Sequence, residues 1–479
     1  MGGRTARVGR LLRRHGHAER DRYEEFVAKT EPGLTIRPQL RRFAAPPALV
    51  DPRTDPQAIS VVIDTAGGGD PHVTRESLPG AVPAVDGDAR SLVGDVRTPY
   101  AAVITGDDDV LDRAGRRVSP RCFPGPSPDL LRERDLTGSV QLVRTSRLPA
   151  HVPEGPRWRY ELARQLAGPA STGHAHLGLV LAHRASGDAA HPPAPAHARL
   201  VPPLRGEPRV EAIVCFRDRP DLLERCARSL LEGTDYERLT LRLVDNGSAE
   251  PATADLLDRL ARDPRVTVRR DPRPFNFSAL NNAAAAESGA DVLALVNNDV
   301  EVAERGWLEP VLAHAQRAEV GAVGPLLVRP DGRVQHAGAA IGLHGTAGHP
   351  FAGLRPDART PLGAATDGVR NWLAVTAACL VVERRKFHAV GGFDERLVVG
   401  GNDVDLGLRL TERGWRSLCL PHVRAVHAES ATRDPGDVRP EDVERSVQRY
   451  GDFLAVGDPF YNPGLTLEAT DCSVRRPDE

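Results

Sequence analysis

Between Val210 and Val296 the chain alternates short apolar runs with amphipathic segments, and this alternation restricts the fold more than any other feature. Val210 to Phe216 reads as a strand. Pro220 opens a helix with Leu222, Leu223, Cys226, Leu230 and Leu231 on one face. Leu239 to Val244 is the next strand, closed by Asp245-Asn246-Gly247-Ser248. A helix over Ala254 to Ala261, a strand over Arg265 to Arg269 and a helix from Ser278 (its cap) to Glu287 follow. Val292 to Val296 is a further strand, and it ends in Asn297-Asn298-Asp299. Strand–helix–strand order with short connections predicts an α/β fold built on a doubly wound, mostly parallel sheet. Ligands of such sheets lie beyond the carboxyl ends of the strands. Asp245 and Asp299 are therefore expected to face one crevice.

A chain of 479 residues has room for about two or three domains. Residues 1–58 form a basic, Pro-rich segment, and residues 59–184 a first, smaller α/β block. That block opens on a strand at Ile59 to Asp64. A second strand, Tyr100 to Thr105, is expected to end at Gly106-Asp107-Asp108-Asp109. An Ala-, Pro- and His-rich linker covers 185–206, the second block 207–460, and a C-terminal tail 461–479.

The balance of 40% hydrophobic and 27% charged residues is that of a globular protein. The formal net charge of -2 excludes a nucleic-acid binder driven by overall charge, so no nucleic-acid partner is expected. Six scattered cysteines without a C-x-x-C pair point to a reducing compartment, with neither a disulfide framework nor a zinc site. No apolar run reaches the roughly 18 residues of a membrane span. Arg4, Arg7, Arg10, Arg13 and Arg14 interleave with Val8, Leu11 and Leu12. This is either a frayed basic tail or a short amphipathic helix that touches an anionic membrane. The expected location is the cytoplasm, with peripheral contact at the inner face of the cell membrane if the helix forms.

Asn297-Asn298-Asp299 by itself supports two readings: an ordinary turn, or a corner where one carboxylate holds a hard cation that binds a diphosphate. Other motifs stand around it in order. They are Ala212-Ile-Val-Cys-Phe-Arg-Asp-Arg-Pro220, Leu243-Val-Asp-Asn-Gly-Ser248 and Phe275-Asn-Phe-Ser-Ala-Leu-Asn-Asn282. Beyond Asp299 come Thr376-Ala-Ala-Cys-Leu-Val-Val382, Val390-Gly-Gly-Phe-Asp-Glu395, Asn402-Asp-Val-Asp-Leu406 and His427-Ala-Glu-Ser430. The ordered set, from Val210 to about Arg433, resembles the family 2 glycosyltransferases with the GT-A fold. The likeness is strongest to the rhamnosyltransferase-like members that build bacterial surface polysaccharides. The first block resembles the leading half of tandem two-domain transferases. It is short of a pair of βα units and has no acidic pair near Trp158, so a degenerate, non-catalytic GT-A-like domain is expected. A second active site on Asp107 to Asp109 is the rival reading.

The resemblance implies a site. Asp299 matches the anionic metal ligand and His427 a second one, for a divalent magnesium or manganese ion. Asn298, where many relatives carry Asp, is expected at the ribose. Cys215 and Arg217 fall beside the nucleotide base, with Asp245 on its edge. Asn276 and Asn282 fall where relatives contact the nucleotide or diphosphate. Asp403 matches the general base, with helix capping as its alternative role. Asn402 and Trp372 fall on the acceptor side, Trp372 as a stacking platform or as core. The implied activity is inverting transfer from a nucleoside diphosphate sugar, of rhamnose type, to a glycan or lipid-linked acceptor. A non-catalytic nucleotide-sugar or glycan-binding protein is the alternative.

Overall fold

The structure is a computed structural model that describes residues 59–63, most of 102–185, 201–428 and 438–476. The basic N-terminal segment, with its expected membrane contact, and the linker up to residue 200 lie outside the described residues. The chain divides into two compact units. One is Met1–Ala198 with Arg359–Gly363 and Val456–Glu479; the other is Arg199–Ala358 with Ala364–Ala455. No helix among the described residues is long and apolar enough to cross a membrane.

The first unit holds β1 (Ile59–Ile63), β2 (Val103–Leu111), β3 (Arg117–Arg121), α1 (Pro128–Glu133), β4 (Val140–Arg144), α2 (Trp158–Ala167) and β5 (His174–Ala185). The sheet is mixed: β1, β4, β2 and β3 pair antiparallel in that order, and β5 runs parallel to β2. Trp158, Leu162 and Ala163 of α2 pack on Val103 and Val143. Strand β2 continues to Leu111, so Asp107, Asp108 and Asp109 lie inside a strand and not beyond its end. Their pairing with β3 and β5 carries the backbone through the acidic run.

The second unit opens with β6 (Val210–Phe216), α3 (Pro220–Leu231), β7 (Leu239–Asp245), α4 (Pro251–Leu260), β8 (Val266–Arg270), α5 (Phe277–Glu287) and β9 (Val292–Val296). Then come β10 (Val300–Val302), α6 (Leu308–Ala315), β11 (Val320–Val328), β12 (Val334–His336), the hairpin β13 (Ala340–Ile341) and β14 (Ala347–Gly348), and β15 (Arg370–Trp372). It closes with β16 (Cys379–Glu383), α7 (Arg384–Ala389), α8 (Asn402–Glu412), β17 (Arg416–His427) and α9 (Pro440–Val456).

The sheet order is β10-β17-β11-β16-β9-β6-β7-β8. Strands β8, β7, β6 and β9 are parallel, and β16 is antiparallel to β9. The first three strands are laid down outward from β6, and the fourth returns to its other side. This puts a topological switch point between β6 and β9. Strand β9 is buried at every position, as an apolar run covered on both faces requires. Helix α3 buries the face read from the sequence, including Leu222, Leu223, Cys226, Leu230 and Leu231. The cap of α5 is Asn276, which accepts the Ala279 N–H, not Ser278; the Ser278 hydroxyl donates to Leu397 O.

Candidate active site

The carboxyl ends of β6, β7 and β9 form one edge. Phe216 pairs with Asp245, and Ile213 with Leu295, so Cys215, Asp245 and Asn297 stand level there. Asp245 Oδ1 accepts the Ser248 N–H at 2.7 Å, which rigidifies the turn after β7. Asp218 and Arg219, just past β6, both have left-handed backbone, with φ of 54° and 57°. Such a pair of non-glycine residues persists only where surroundings hold it. The Asp218 carboxylate supplies the hold by accepting the Ala249 and Glu250 N–H groups, each at 2.8 Å. Arg217 is exposed and Cys215 half-buried. Burial, then the Asp271 carboxylate, pushes the Cys215 thiol up to about 12, so at neutral pH it is a thiol and no nucleophile.

After β9 the chain makes a turn closed by Val300 N–H to Asn297 O, and Asp299 sits in it, nearly buried with Asn298. Strand β10 pairs with the end of β17, Val300 opposite His427. That pairing delivers His427 Nε2 to 3.1 Å from Asp299 Oδ1. The other ring nitrogen of His427, Nδ1, is buried without a hydrogen-bond partner. The two residues expected as metal ligands are thus brought together. Among the described residues no group of three His, Cys, Asp or Glu side chains converges on a metal position.

Asp403 lies in the first turn of α8. Its Oδ1 accepts the Val404 N–H at 2.9 Å and its Oδ2 the Ala377 N–H at 3.1 Å. The Thr376–Ala378 loop that supplies Ala377 also binds the Asn297–Asp299 turn, because Ala378 O accepts the Asn297 N–H at 2.9 Å. One loop therefore fixes Asp403 relative to the Asn297–Asp299 turn. The entry to α8 needs Gly401: its φ is 77°, and a Cβ there would fall 2.1 Å from Ser446 Oγ. Asp405, two residues on, is turned away into ion pairs with Arg409 and Arg449.

Four expected contacts are corrected. Asn276 caps α5 and donates to Glu395 O at 2.8 Å. Asn282 accepts the Phe393 N–H at 2.8 Å and donates to Phe393 O at 2.9 Å. Both amides clamp the Gly391–Arg396 segment to α5. Asn402 is buried; its Oδ1 accepts the Asp403 N–H at 2.8 Å, which makes it a local cap and not an acceptor contact. Trp372 is 1% exposed, so it offers no face for stacking a sugar. Its indole fills the space beside Gly338, where a Cβ would come within 2.1 Å of the ring.

In the first unit, the rival site on Asp107 to Asp109 has no free acidic edge. Asp107 is buried between His176 Nε2 at 2.9 Å and Asn462 Nδ2 at 2.8 and 2.9 Å, and Asp108 is paired with Arg121.

Sequence reasoning missed other residues around the site. Asp442, on α9, accepts three successive N–H groups, from Val398, Val399 and Gly400, and so fixes the approach to α8. No local pattern marks it, because its partners lie more than 40 positions earlier. Arg219 pairs with Asp221, and its guanidinium also feels Glu250 and Asp299. Arg219, in the Phe216–Pro220 turn, thus stands within electrostatic reach of Asp299. His336 is fully buried, and its Nε2 accepts the Thr376 N–H at 3.2 Å. Burial, then His349 and His427, holds its pKa well below the ordinary value, so the ring is neutral.

Residues 211–352 match the model of glycosyl transferase family 2. The chain is 39% identical over 416 residues to the O-antigen biosynthesis protein RfbC of Myxococcus xanthus, covering 79% of this chain and 32% of that protein. It is 31% identical over 245 residues to the N-acetylglucosaminyl-diphospho-decaprenol L-rhamnosyltransferase of Mycobacterium tuberculosis, covering 44% of this chain and 74% of that protein. The chain thus spans about a third of the first relative and about three-quarters of the second. Among solved structures it is similar to GalNAc-T7 with UDP, GalNAc and Mn2+, with a TM-score of 0.42 and 18% identity over 51% of this chain and 48% of that one.

Proposed function

Because the chain belongs to glycosyl transferase family 2, we propose that its second unit moves a sugar from a nucleoside diphosphate sugar to a glycan or lipid-linked acceptor, with inversion. The α/β sheet that carries the site is of the GT-A type. A rhamnose-type donor and a role in surface polysaccharide assembly are favoured by the names of the two relatives, one an O-antigen biosynthesis protein and one an L-rhamnosyltransferase.

The observation that carries the proposal is the 3.1 Å approach of His427 Nε2 to Asp299 Oδ1 at the switch-point edge. Neighbouring ligands of an octahedral ion with bonds of about 2.0–2.1 Å stand about 3 Å apart, so the pair fits one edge of a magnesium or manganese sphere. Asp299 and His427 would supply two side-chain ligands to such an ion. A bound ion would neutralise charge on the leaving diphosphate. Asp299 and His427 hold that corner, and Arg219 lies where a cation could face the phosphates. Asp245 and Cys215 line the strand ends on the nucleotide side, with Asn298 beside the corner.

Asp403 is the proposed base. Its two anchoring N–H bonds fix the carboxylate but occupy one acceptor position on each oxygen, leaving others for an acceptor hydroxyl. Proton removal as the hydroxyl attacks the anomeric carbon, opposite the departing diphosphate, gives inversion. The test is a transfer assay with manganese, the acceptor N-acetylglucosaminyl-diphospho-decaprenol and a panel of nucleotide sugars. Transfer from deoxythymidine-diphosphate L-rhamnose is expected. A folded protein that transfers from no donor in the panel contradicts the proposal.

A further inference from the structure

His336 and His349 form a buried-to-surface relay that the reaction outlined above leaves unused. Their Nδ1 atoms are 2.9 Å apart, with the rings edge to face. The two shorter hydrogen bonds, Thr376 N–H to His336 Nε2 and His336 Nδ1 to His349 Nδ1, set both tautomers, and the 3.4 Å contact of His349 Nδ1 with Gly338 O is then no hydrogen bond. His336 Nε2 accepts the Thr376 N–H, so it carries no proton, and the neutral ring must carry its proton on Nδ1. His336 Nδ1–H then donates to His349 Nδ1. A neutral His349 is left with its proton on Nε2.

That Nε2–H has no protein partner among the described residues, since the contacts of His349 run through Nδ1 to His336 and, at 3.4 Å, toward Gly338 O. Nor is it a buried, unsatisfied atom. It is a donor held from behind and open in front. His349 itself is half-buried.

The hold is stiff. Gly338 packs against the buried Trp372 ring, and the Ala339 N–H donates to Ala374 O at 3.0 Å, so the chain after His336 is locked to the chain before Thr376. His336 also lies within electrostatic reach of His427. The relay therefore ends in the same Thr376–Ala378 loop that positions Asp403 and the Asn297–Asp299 turn. A fixed N–H donor beside a transfer site matches a sugar hydroxyl or a phosphoryl oxygen.

We infer that His349 is a substrate-binding residue, whose Nε2–H hydrogen-bonds an oxygen of the nucleotide sugar or of the acceptor, and that His336 is the positioning residue that fixes its tautomer. The inference rests on the transferase reading above. A residue that only pins the Ala340–Gly348 hairpin would affect stability without separating the two substrates.

The experiment is steady-state kinetics of the full chain with manganese, deoxythymidine-diphosphate L-rhamnose and N-acetylglucosaminyl-diphospho-decaprenol, comparing wild type with His349→Leu and His349→Gln. His349 is half-buried, so both variants are expected to fold, checked by thermal melting. His349→Leu should raise one KM about tenfold, and His349→Gln, whose amide can donate from a similar position, should recover most of it. A rise in the donor KM places the contact on the nucleotide sugar, and a rise in the acceptor KM places it on the acceptor. Unchanged KM for both substrates in His349→Leu, or a loss that His349→Gln does not recover, overturns the inference alone. Absence of transfer by folded wild type removes the transferase reading and this inference with it.

Discussion

Oδ2 of Asp403 accepts the N–H of Ala377 at 3.1 Å, and this bond ties the first turn of α8 to the loop that also holds the Asn297–Asp299 turn. The proposed base and the proposed metal corner are thereby set by one short segment, Thr376–Ala378, although they are distant in sequence.

Replacing Asp403 by Asn keeps an oxygen for a backbone N–H and removes the base. Turnover is expected to fall by about 10²–10⁴-fold, while deoxythymidine diphosphate binds as in wild type. Single-turnover kinetics beside calorimetry separate the two effects. Unchanged turnover would show that Asp403 only caps the helix.

Gly401→Ala puts a Cβ into Ser446 Oγ at a left-handed position. The strain costs about 1–3 kcal/mol and moves the start of α8. A lower melting temperature with reduced kcat is expected. A variant with wild-type kcat would mean that the α8 entry does not set the base.

Much of this site is legible in the sequence, and the unread part has a common cause. Strand ends can be read because apolar runs stop abruptly, and this marks Asp245 and Asp299. His427 reaches Asp299 through β17, but nothing local in its own neighbourhood announces that pairing; only the family resemblance points to it. Asn276, Asn282 and Asn402 carry amides suited equally to ligands and to caps, and only tertiary partners reveal that they are caps. Trp372 is ambiguous for the same reason, since an indole suits both core and platform. The run Asp107–Asp109 resembled a strand end because acidic residues seldom sit inside strands; here His176, Asn462 and Arg121 make it tolerable.

Lys386, one of two lysines in the chain, is fully buried. Its ammonium donates to Ala315 O at 3.1 Å, Arg317 O at 2.8 Å and Val320 O, and pairs with Glu383. Lys386→Met leaves these acceptors unpaired and is expected to cost about 3 kcal/mol in denaturant unfolding. Burial lowers the folded pKa of Lys386, with Glu383 opposing. The unfolded chain thus holds this proton more tightly, and the group's contribution rises as pH climbs from the folded pKa toward the ordinary lysine value. The wild-type stability curve should gain on the Met variant over that alkaline interval. Parallel curves would show that the ammonium is not the titrating group.

In the first unit, Asn462→Ala removes donors to Asp107 and to Phe123 O from a buried network. A loss of about 2 kcal/mol is expected, with transfer unchanged below the melting temperature. Loss of transfer in a folded variant would make this unit part of the catalytic machinery.

The most direct test of the central claim is calorimetric titration of deoxythymidine diphosphate into wild type, Asp299→Ala and His427→Ala, with and without manganese. Asp299 and His427 as metal ligands require manganese to tighten wild-type binding at least about tenfold, as removal of a charge-bearing ligand or its partner is worth several kcal/mol. Both variants should lose that gain while still binding weakly without metal. Equal affinity with and without manganese in all three proteins would contradict the account.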